Sequence, residues 1–198
     1  DEDLIPEEDL IVTLSKEGYA KTQPIDTYQA QNRGGTGKRA ASLKDEDFVS
    51  KLFVANTHDT LLCFSSYGKV YWIKVYRLPK GGRNAKGRPI VNLLPLEKDE
   101  RIQAVLPVKE FNDDQFIFMA TESGSVKKTK LSAYSRPMKT GIKAIKLRDG
   151  DRVVNAEITD GSKEIMLFSN SGKSIRFKES DARPMGRVSQ GVRGMRLE

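Results

Sequence analysis

Short hydrophobic stretches separated by turn residues recur along this chain, and four of them end in the same way. An apolar strand end is followed by Ser or Thr, two further residues and a glycine, namely Gly18, Gly68, Gly124 or Gly172. These glycines are 50, 56 and 48 residues apart, and a second glycine follows each at an offset of 19, 19, 17 or 19 residues. The second glycines are Gly37, Gly87, Gly141 and Gly191. Such regular offsets indicate four copies of one structural unit.

The pattern inside each unit is typical of β-strands. The first glycine suits a tight hairpin turn, and β-branched and aromatic residues follow it, as in residues 70–76. Turn residues at 56–59, 112–114 and 160–162 predict a second hairpin per unit. We find no long amphipathic helical pattern. The chain is therefore predicted to be all-β, a propeller-like array of about four four-stranded blades. The expected divisions are an acidic linker at 1–9 and repeats at approximately 10–59, 60–114, 115–163 and 164–198, the last incomplete.

Composition adds a soluble globular character and a strong positive charge. Hydrophobic residues make up 37% and charged residues 31% of 198 residues, and no apolar run is long enough to span a membrane. The single cysteine, Cys63, is expected to be a buried, inert thiol in a reducing cytoplasm. The net charge is +7, and because residues 1–10 hold six acidic and no basic residues, the rest of the chain carries +13. A charge of this size attracts polyanions such as nucleic acid.

The positive charge is concentrated at one place in every repeat. Residues 18–44, 68–88, 124–146 and 172–196 hold 26 of the 34 Lys and Arg residues but only 3 of the 27 acidic residues. Equivalent basic edges on successive blades would form a belt that follows the phosphates of a bent duplex. A solvated charged surface is the alternative interpretation. The candidate DNA-contacting residues of this rim are Lys74, Arg77, Lys80, Arg83, Lys86, Arg88, Lys127, Lys128, Lys130, Arg136, Lys139, Lys143, Arg176, Lys178, Arg183, Arg187 and Arg193.

The loop at 31–39 combines three glycines with flanking cations, as an anion-binding turn does. It does not match a nucleotide-binding P-loop, because Asn32 and Arg39 stand where that motif requires Gly and Ser or Thr. The loop instead resembles the gyrase A box, usually written Gln-Arg-Arg-Gly-Gly-Arg/Lys-Gly. Residues 54–59, 62–66, 87–96 and 191–194 also resemble gyrase A. On these motifs the chain is identified as a member of the C-terminal domains of bacterial gyrase A subunits, of the gammaproteobacterial type.

This resemblance implies a β-pinwheel, in which neighbouring blades exchange strands and duplex DNA wraps in a positive sense around the basic rim. The wrapping would support ATP-dependent negative supercoiling by a cytoplasmic, nucleoid-associated holoenzyme containing the rest of the gyrase A dimer and the gyrase B subunit. The segment itself would hold no catalytic residue, metal or cofactor, and it would not contact a membrane. The matching box positions, with the two cations beside them, are Gln31, Arg33, Gly34, Gly35, Gly37, Lys38 and Arg39.

Two departures from the family pattern limit this comparison. Asn32 and Thr36 replace two cations of the box, so we expect wrapping that is weaker or is partly rescued by Lys38 and Arg39. Gyrase A discs typically have six blades and this chain has four repeats, which suggests a fragment. Topoisomerase IV, whose equivalent domain has fewer blades and an incomplete box, is the nearest alternative family. A protein-interaction propeller is the alternative from another class, and the dipeptide Trp-Asp of common propellers is absent because Ile73 follows Trp72.

The remaining candidates favour structural roles. His58 lies in a predicted turn without a partner Cys or a second His, so we interpret it as a surface turn residue and not as a metal ligand or base. Tyr28, Tyr76 and Tyr134 follow strands near the basic loops, where they could pack either on a sugar-phosphate backbone or in the core. The acidic opening is interpreted as a linker, with competition against DNA at the basic rim as the minority hypothesis.

Overall fold

The computed structural model describes residues 1–33, 49–82, 84–168 and 174–193, and β-strands are their main regular elements. The strands are β1 (Asp9–Ser15), β2 (Tyr19–Pro24), β3 (Val49–Asn56), β4 (Thr60–Ser65), β5 (Lys69–Lys74), β6 (Arg88–Pro89), β7 (Ile102–Val108), β8 (Phe116–Thr121), β9 (Ser125–Lys130), β10 (Ile142–Lys143), β11 (Val153–Thr159), β12 (Glu164–Phe168), β13 (Ser174–Lys178) and β14 (Val192–Arg193). One α-helix, α1 (Ile25–Arg33), and several single 3-10 turns complete the described elements.

Three four-stranded sheets of the described residues share one plan. The first sheet has the order β3-β1-β2-β6, the second β10-β5-β4-β7 and the third β11-β8-β9-β14, while β12 pairs with β13. Each of the three contains a hairpin, a long third strand beside the first hairpin strand, and a two-residue strand beside the second. That short strand comes from the following repeat, so the repeats exchange strands. The predicted β-pinwheel is confirmed.

The recurring Ser/Thr-x-x-Gly motif forms the hairpin turn and closes it with two hydrogen bonds. The glycine amide donates to the carbonyl of the Ser or Thr, at 3.0 Å in each of the three turns described. The next amide donates to the hydroxyl of the same residue, at 3.0 Å for Ser15, 3.3 Å for Ser65 and 3.1 Å for Thr121. The glycines have φ of +90°, +78° and +93°, which costs a glycine little. The spacing between Ser or Thr and Gly in the sequence is therefore the spacing that these two hydrogen bonds require.

The predicted second hairpins are wrong, because the turns at 56–59, 112–114 and 160–162 connect strands of different sheets. β3 returns beside β1 of its own repeat, with Leu10 opposite Ala55, and β4 then enters the second sheet. At the first of these turns the amide of Asn56 donates to Asp59 Oδ2 (2.9 Å) and the amide of Asp59 donates to the carbonyl oxygen of Asn56 (2.9 Å), so the turn is closed locally and needs no strand ladder. Asn and Asp favour both kinds of turn, and the sequence pattern does not distinguish them.

The chain divides into two compact units, residues 1–61 with 73–95 and residues 62–72 with 96–198. The first unit contains the first sheet, whose strand β1 is buried from Leu10 to Leu14. The second unit contains a core shared by the second and third sheets, in which Phe64 and Tyr134 make an edge-to-face contact at 5.6 Å between ring centroids. Cys63 is buried, as predicted.

A helical turn begins seven residues after the first glycine of every repeat, at Ile25, Val75, Leu131 and Glu179. In three repeats it is a single 3-10 turn, but in the first it continues as α1 for nine residues. The helix has no buried residue, so it lacks the amphipathic pattern by which helices are found in sequences. Residues 31–33 therefore end a helix, which corrects their assignment to a loop.

Three of the second glycines, Gly87, Gly141 and Gly191, lie where the short strand passes close to the hairpin of the preceding repeat. A Cβ on Gly87 (φ +86°) would lie 2.3 Å from the carbonyl oxygen of Ala20, and one on Gly141 (φ +76°) would lie 2.6 Å from a ring carbon of Tyr71. Both the backbone conformation and the approach exclude a side chain. In the three described cases the second glycine is thus the point at which consecutive repeats join.

Candidate nucleic-acid interface

Each four-stranded sheet ends on its two-residue strand, and each of these strands carries an exposed basic residue: Arg88, Lys143 or Arg193. Lys143 and Arg193 occupy the same register, and Arg88 lies one residue earlier. Lys143 is directly opposite Lys69, a cation that our sequence analysis missed although it immediately follows Gly68. Like charges facing each other across a strand pair cost stability. The pairing of Lys143 with Lys69 is therefore not explained by strand stability.

Most other rim candidates are exposed where the structure describes them. Arg77, Lys80 and Lys86 are exposed in the first unit, and Lys130, Arg136, Lys139, Arg176, Lys178 and Arg183 in the second. Lys74 and Arg187 are half-buried. Lys86 lies 4.3 Å from the ring centroid of Tyr19, so this cation has a defined position on the first sheet. Arg83 lies outside the described residues.

Of residues 31–37, which resemble the gyrase A box, the structure describes only the first three. Gln31 is half-buried and Arg33 is exposed in the last turn of α1. The side-chain amide nitrogen of Gln31 would lie 4.0 Å from a Cβ on Gly82, which places Gln31 beside the basic loop that leads into β6. Gly34, Gly35, Gly37, Lys38 and Arg39 lie outside the described residues, so their roles stay predictions.

Lys127 is not on the exposed rim, which corrects its assignment there. Its side chain is 2% exposed, and Nζ donates to the carbonyl oxygens of Ala144 (2.5 Å), Gly186 (3.3 Å) and Arg187. Burial, with a smaller contribution from the Arg187 guanidinium, lowers the pKa of Lys127 to about 7, whereas the three carbonyl acceptors favour the ammonium form. Counting charges along the sequence could not reveal this site, because β9 is buried over five consecutive residues.

Lys128 is also buried, and its assignment to the rim is corrected for the same reason. It is 5% exposed, with Nζ 3.4 Å from Oε2 of the fully buried Glu179 and 4.3 Å from the ring centroid of Phe116. Glu179 further accepts hydrogen bonds from the hydroxyl of Thr159 (2.5 Å) and the amides of Gly161 (3.0 Å) and Lys163 (3.1 Å). The pair is a hydrogen-bonded structural site within the second unit.

The remaining polar candidates, His58 and three tyrosines, are partly or fully buried in the fold. His58 lies in the β3–β4 turn as predicted, but it is half-buried, with Nε2 2.7 Å from the carbonyl oxygen of Ile5. Tyr134 is fully buried in the core, while Tyr28 and Tyr76 are half-buried. Over the parts of the chain that the structure describes, no three His, Cys, Asp or Glu residues are grouped as metal ligands would be. No helix in those parts is long and apolar enough to cross a membrane.

Comparison with known proteins gives a consistent result along the whole chain. A family model described as "DNA gyrase C-terminal domain, beta-propeller" matches residues 9–56, 59–109, 115–160 and 163–198. The gyrase A protein of Salmonella typhimurium is 59% identical over 196 residues, which make up 99% of this chain and 22% of the relative. The chain therefore spans about a fifth of the length of the curated relatives that it matches.

Two solved structures are similar in fold and in sequence. The C-terminal domain of DNA topoisomerase IV matches with a TM-score of 0.80 and 31% identity, covering 98% of this chain and 59% of that one. The DNA gyrase A C-terminal domain matches with a TM-score of 0.66 and 30% identity, covering 95% of this chain and 60% of that one.

Lys128 is buried and Lys130 is exposed on the same strand, so replacing Lys128 should affect stability and replacing Lys130 should affect DNA binding. Lys128→Met leaves Glu179 as an unpaired buried carboxylate, so the free energy of unfolding of the second unit should fall by about 3 kcal/mol or more. Lys130→Met removes an exposed cation and should change stability by less than about 0.5 kcal/mol while weakening binding to the expected ligand, duplex DNA. Urea unfolding and a DNA titration of each variant measure the two effects.

Lys128→Met combined with Glu179→Gln serves as the control, because it removes both charges and should recover much of the lost stability. If Lys128→Met left stability unchanged but lowered DNA affinity as much as Lys130→Met, the buried assignment of Lys128 would be wrong.

Proposed function

Since the chain belongs to the family of DNA gyrase C-terminal β-propeller domains, we propose that it binds duplex DNA along the basic edges of its sheets and bends it. The single observation that carries this proposal is the exposed basic residue on the two-residue edge strand of each four-stranded sheet. Because the repeat sets the position of that strand, it brings a cation to each of these sheet edges, at one register position for Lys143 and Arg193 and one residue earlier for Arg88. Such a series of cations suits a polyanion better than a small ligand.

The physics of the duplex makes a repeated series of contacts necessary. DNA presents a phosphate charge about every 1.7 Å, and each neutralised phosphate releases counterions. Bending a site of 20–30 base pairs by 40–90° costs on the order of 1–6 kcal/mol, so contacts have to accumulate along the path. The exposed cations between the first and second glycines supply such contacts on more than one sheet. Binding of this kind depends little on DNA sequence.

Within the whole protein we propose the role that the relatives' name indicates. The relatives are gyrase A proteins, so this segment would bind DNA for a holoenzyme of gyrase A and gyrase B that introduces negative supercoils at the expense of ATP. It would do so in the bacterial cytoplasm, without a cofactor and without a catalytic residue of its own. The matching box residues would contribute to wrapping on the first repeat, and Asn32 and Thr36, which stand in place of two cations, would weaken it.

Topoisomerase IV is the second candidate family, and one observation favours it. The fold is closer to the topoisomerase IV domain (TM-score 0.80) than to the gyrase A domain (0.66), at nearly equal identity. Identity of 59% to a gyrase A protein supports the gyrase assignment more strongly, because it extends over 99% of the chain. A protein-interaction propeller predicts binding that is insensitive to salt, which the experiment below tests.

Neutralising the three edge-strand cations should reduce the number of phosphate contacts. We expect Arg88→Gln, Lys143→Gln and Arg193→Gln together to lower the slope of log affinity against log salt concentration by about 2.7, or 0.9 per lost phosphate contact. The measurement is a titration of duplex DNA at several salt concentrations.

The matched control replaces Lys16, Lys98 and Lys163 by Gln, because these lysines are exposed but lie outside the edge strands. The control removes the same net charge and should change the slope much less. Equal changes in both triple variants would mean that only overall charge matters, and binding that ignores salt in the unaltered chain would contradict the proposed function itself.

A further inference from the structure

The same position in two repeats holds a lysine that binds the backbone of the following repeat. Lys21 and Lys127 both lie three residues after the first glycine of their repeat, and sequence analysis missed Lys21 and misassigned Lys127. Lys21 Nζ donates to the carbonyl oxygens of Gly82 (2.9 Å) and Ala85 (2.8 Å) in the loop leading into β6. Lys127 Nζ donates to Gly186 and Arg187 in the loop leading into β14. Gly82 and Gly186 are each five residues before the second glycine of their repeats.

The backbone contacts of these two loops also agree residue by residue. Thr22 makes a parallel bridge with Lys80 in the first sheet, and Lys128, at the same repeat position, makes one with Pro184 in the third. The next loop residue then donates its amide to the bridged carbonyl, Gly81 to Thr22 (3.0 Å) and Met185 to Lys128 (2.6 Å). The two loops share a Gly-Arg pair, at 82–83 and 186–187, and otherwise differ in sequence up to the second glycine, yet they lie on their neighbouring strand in the same register.

In the second sheet a tyrosine replaces this lysine, and the loop of the following repeat is shorter. The equivalent position is Tyr71, whose hydroxyl donates to the buried Glu100 (2.9 Å) and whose ring packs on Gly141. The loop that leads into its edge strand β10 belongs to the repeat with a glycine offset of 17, two residues shorter than the offset of 19 in the repeats whose loops meet a lysine. The residue at this position is thus lysine where the following repeat has the longer loop and tyrosine where it has the shorter one.

We propose that Lys21 and Lys127 are positioning residues that hold the cationic loop of the next repeat against the sheet edge and so place its cations for DNA. The proposal rests on the proposed function, since the loop leading into β6 carries Lys80, Lys86 and Arg88 and the loop leading into β14 carries Arg183 and Arg187. Lys127 is buried and acts through the loop only. Lys21 is half-buried, and it uses its ammonium group on the two carbonyls.

Lys21→Met tests this role with two measurements on the whole chain, and Lys127→Met repeats the test in the third sheet. In the free protein, amide hydrogen exchange at Gly81 and Ala85 should become about tenfold faster or more, the equivalent of losing one or two hydrogen bonds. Affinity for duplex DNA should fall under conditions where circular dichroism shows a fully folded chain. Lys16→Met, an exposed lysine in the β1–β2 turn, is the control and should alter neither measurement.

Unchanged exchange in the loop would overturn the positioning role, and faster exchange with unaltered affinity would overturn its connection to DNA. If the unaltered chain did not bind DNA, the proposed function would fail instead, whatever the exchange rates.

A second inference comes from the acidic segment, residues 1–8, which lies on the cationic surface of the first unit. Glu2 pairs with Lys74 (3.0 Å) and Glu8 with Lys80 (3.6 Å), and both lysines are rim candidates. The hydrogen bond from Lys74 lowers the pKa of Glu2. Uncharged contacts fix the segment there: Thr57 Oγ1 donates to the carbonyl oxygen of Pro6 (2.9 Å), and the amide of Glu8 donates to Thr57 Oγ1 (3.2 Å). The carboxylates are thereby held where phosphates would bind.

We infer that residues 1–8 compete with DNA for Lys74 and Lys80, again on the basis of the proposed function. The competition is modest, because exposed ion pairs contribute little and salt screens them. Glu2→Gln with Glu8→Gln should therefore raise DNA affinity about two- to tenfold at low salt and much less at high salt.

Asp3→Asn is the matched control, because Asp3 is exposed in the same segment and has no ion pair to a described residue. It reports the general effect of removing one negative charge near DNA. An increase per charge no larger than that of Asp3→Asn would overturn the competition, whereas failure of every variant and of the unaltered chain to bind DNA would contradict the proposed function.

Discussion

The structure depends on the pairing of a two-residue strand with the hairpin of the preceding repeat. In the three four-stranded sheets this pairing continues the sheet beyond the second strand of the hairpin, which would otherwise be an open sheet edge. It requires a glycine immediately before the short strand, because the backbone there approaches the neighbouring strand too closely for a side chain, as at Gly87 and Gly141. The same pairing brings the basic loop to the sheet edge. The fold and the proposed binding surface thus arise from one contact between consecutive repeats.

Lysine has two opposite roles in this arrangement, and neighbouring positions on β9 illustrate both. Lys127 and Lys128 point into the protein and satisfy carbonyl oxygens or a buried carboxylate, whereas Lys130 is exposed at the end of the strand. The interior lysines organise the loops, and the exterior ones are available to a polyanion. A count of positive charge along the sequence includes both kinds, although only the second can release counterions from DNA.

Much of the fold could be predicted from the sequence because glycine positions reflect backbone geometry directly. The Ser/Thr-x-x-Gly spacing located the hairpins, and the resemblance to a known family indicated the exchanged strands. The turn at Asn56–Asp59 was mistaken for a hairpin because its residues fit a crossover equally well. The helix α1 was missed because it buries no apolar face. For the candidate site, Arg88, Lys143 and Arg193 were found by their charge, while the burial of Lys127 depends on contacts with residues about 60 positions away and leaves no local signal.

The most direct test of the account is the topological effect of the whole chain on circular DNA. The chain is incubated with relaxed circular DNA, a nicking-closing topoisomerase removes unconstrained supercoils, and the change in linking number is read after the protein is removed. A positive change is the result that we predict, because it requires the duplex to follow the basic edges of successive repeats in the gyrase sense. An unchanged linking number, with binding still detected by gel shift, would contradict wrapping and leave only electrostatic attachment to DNA.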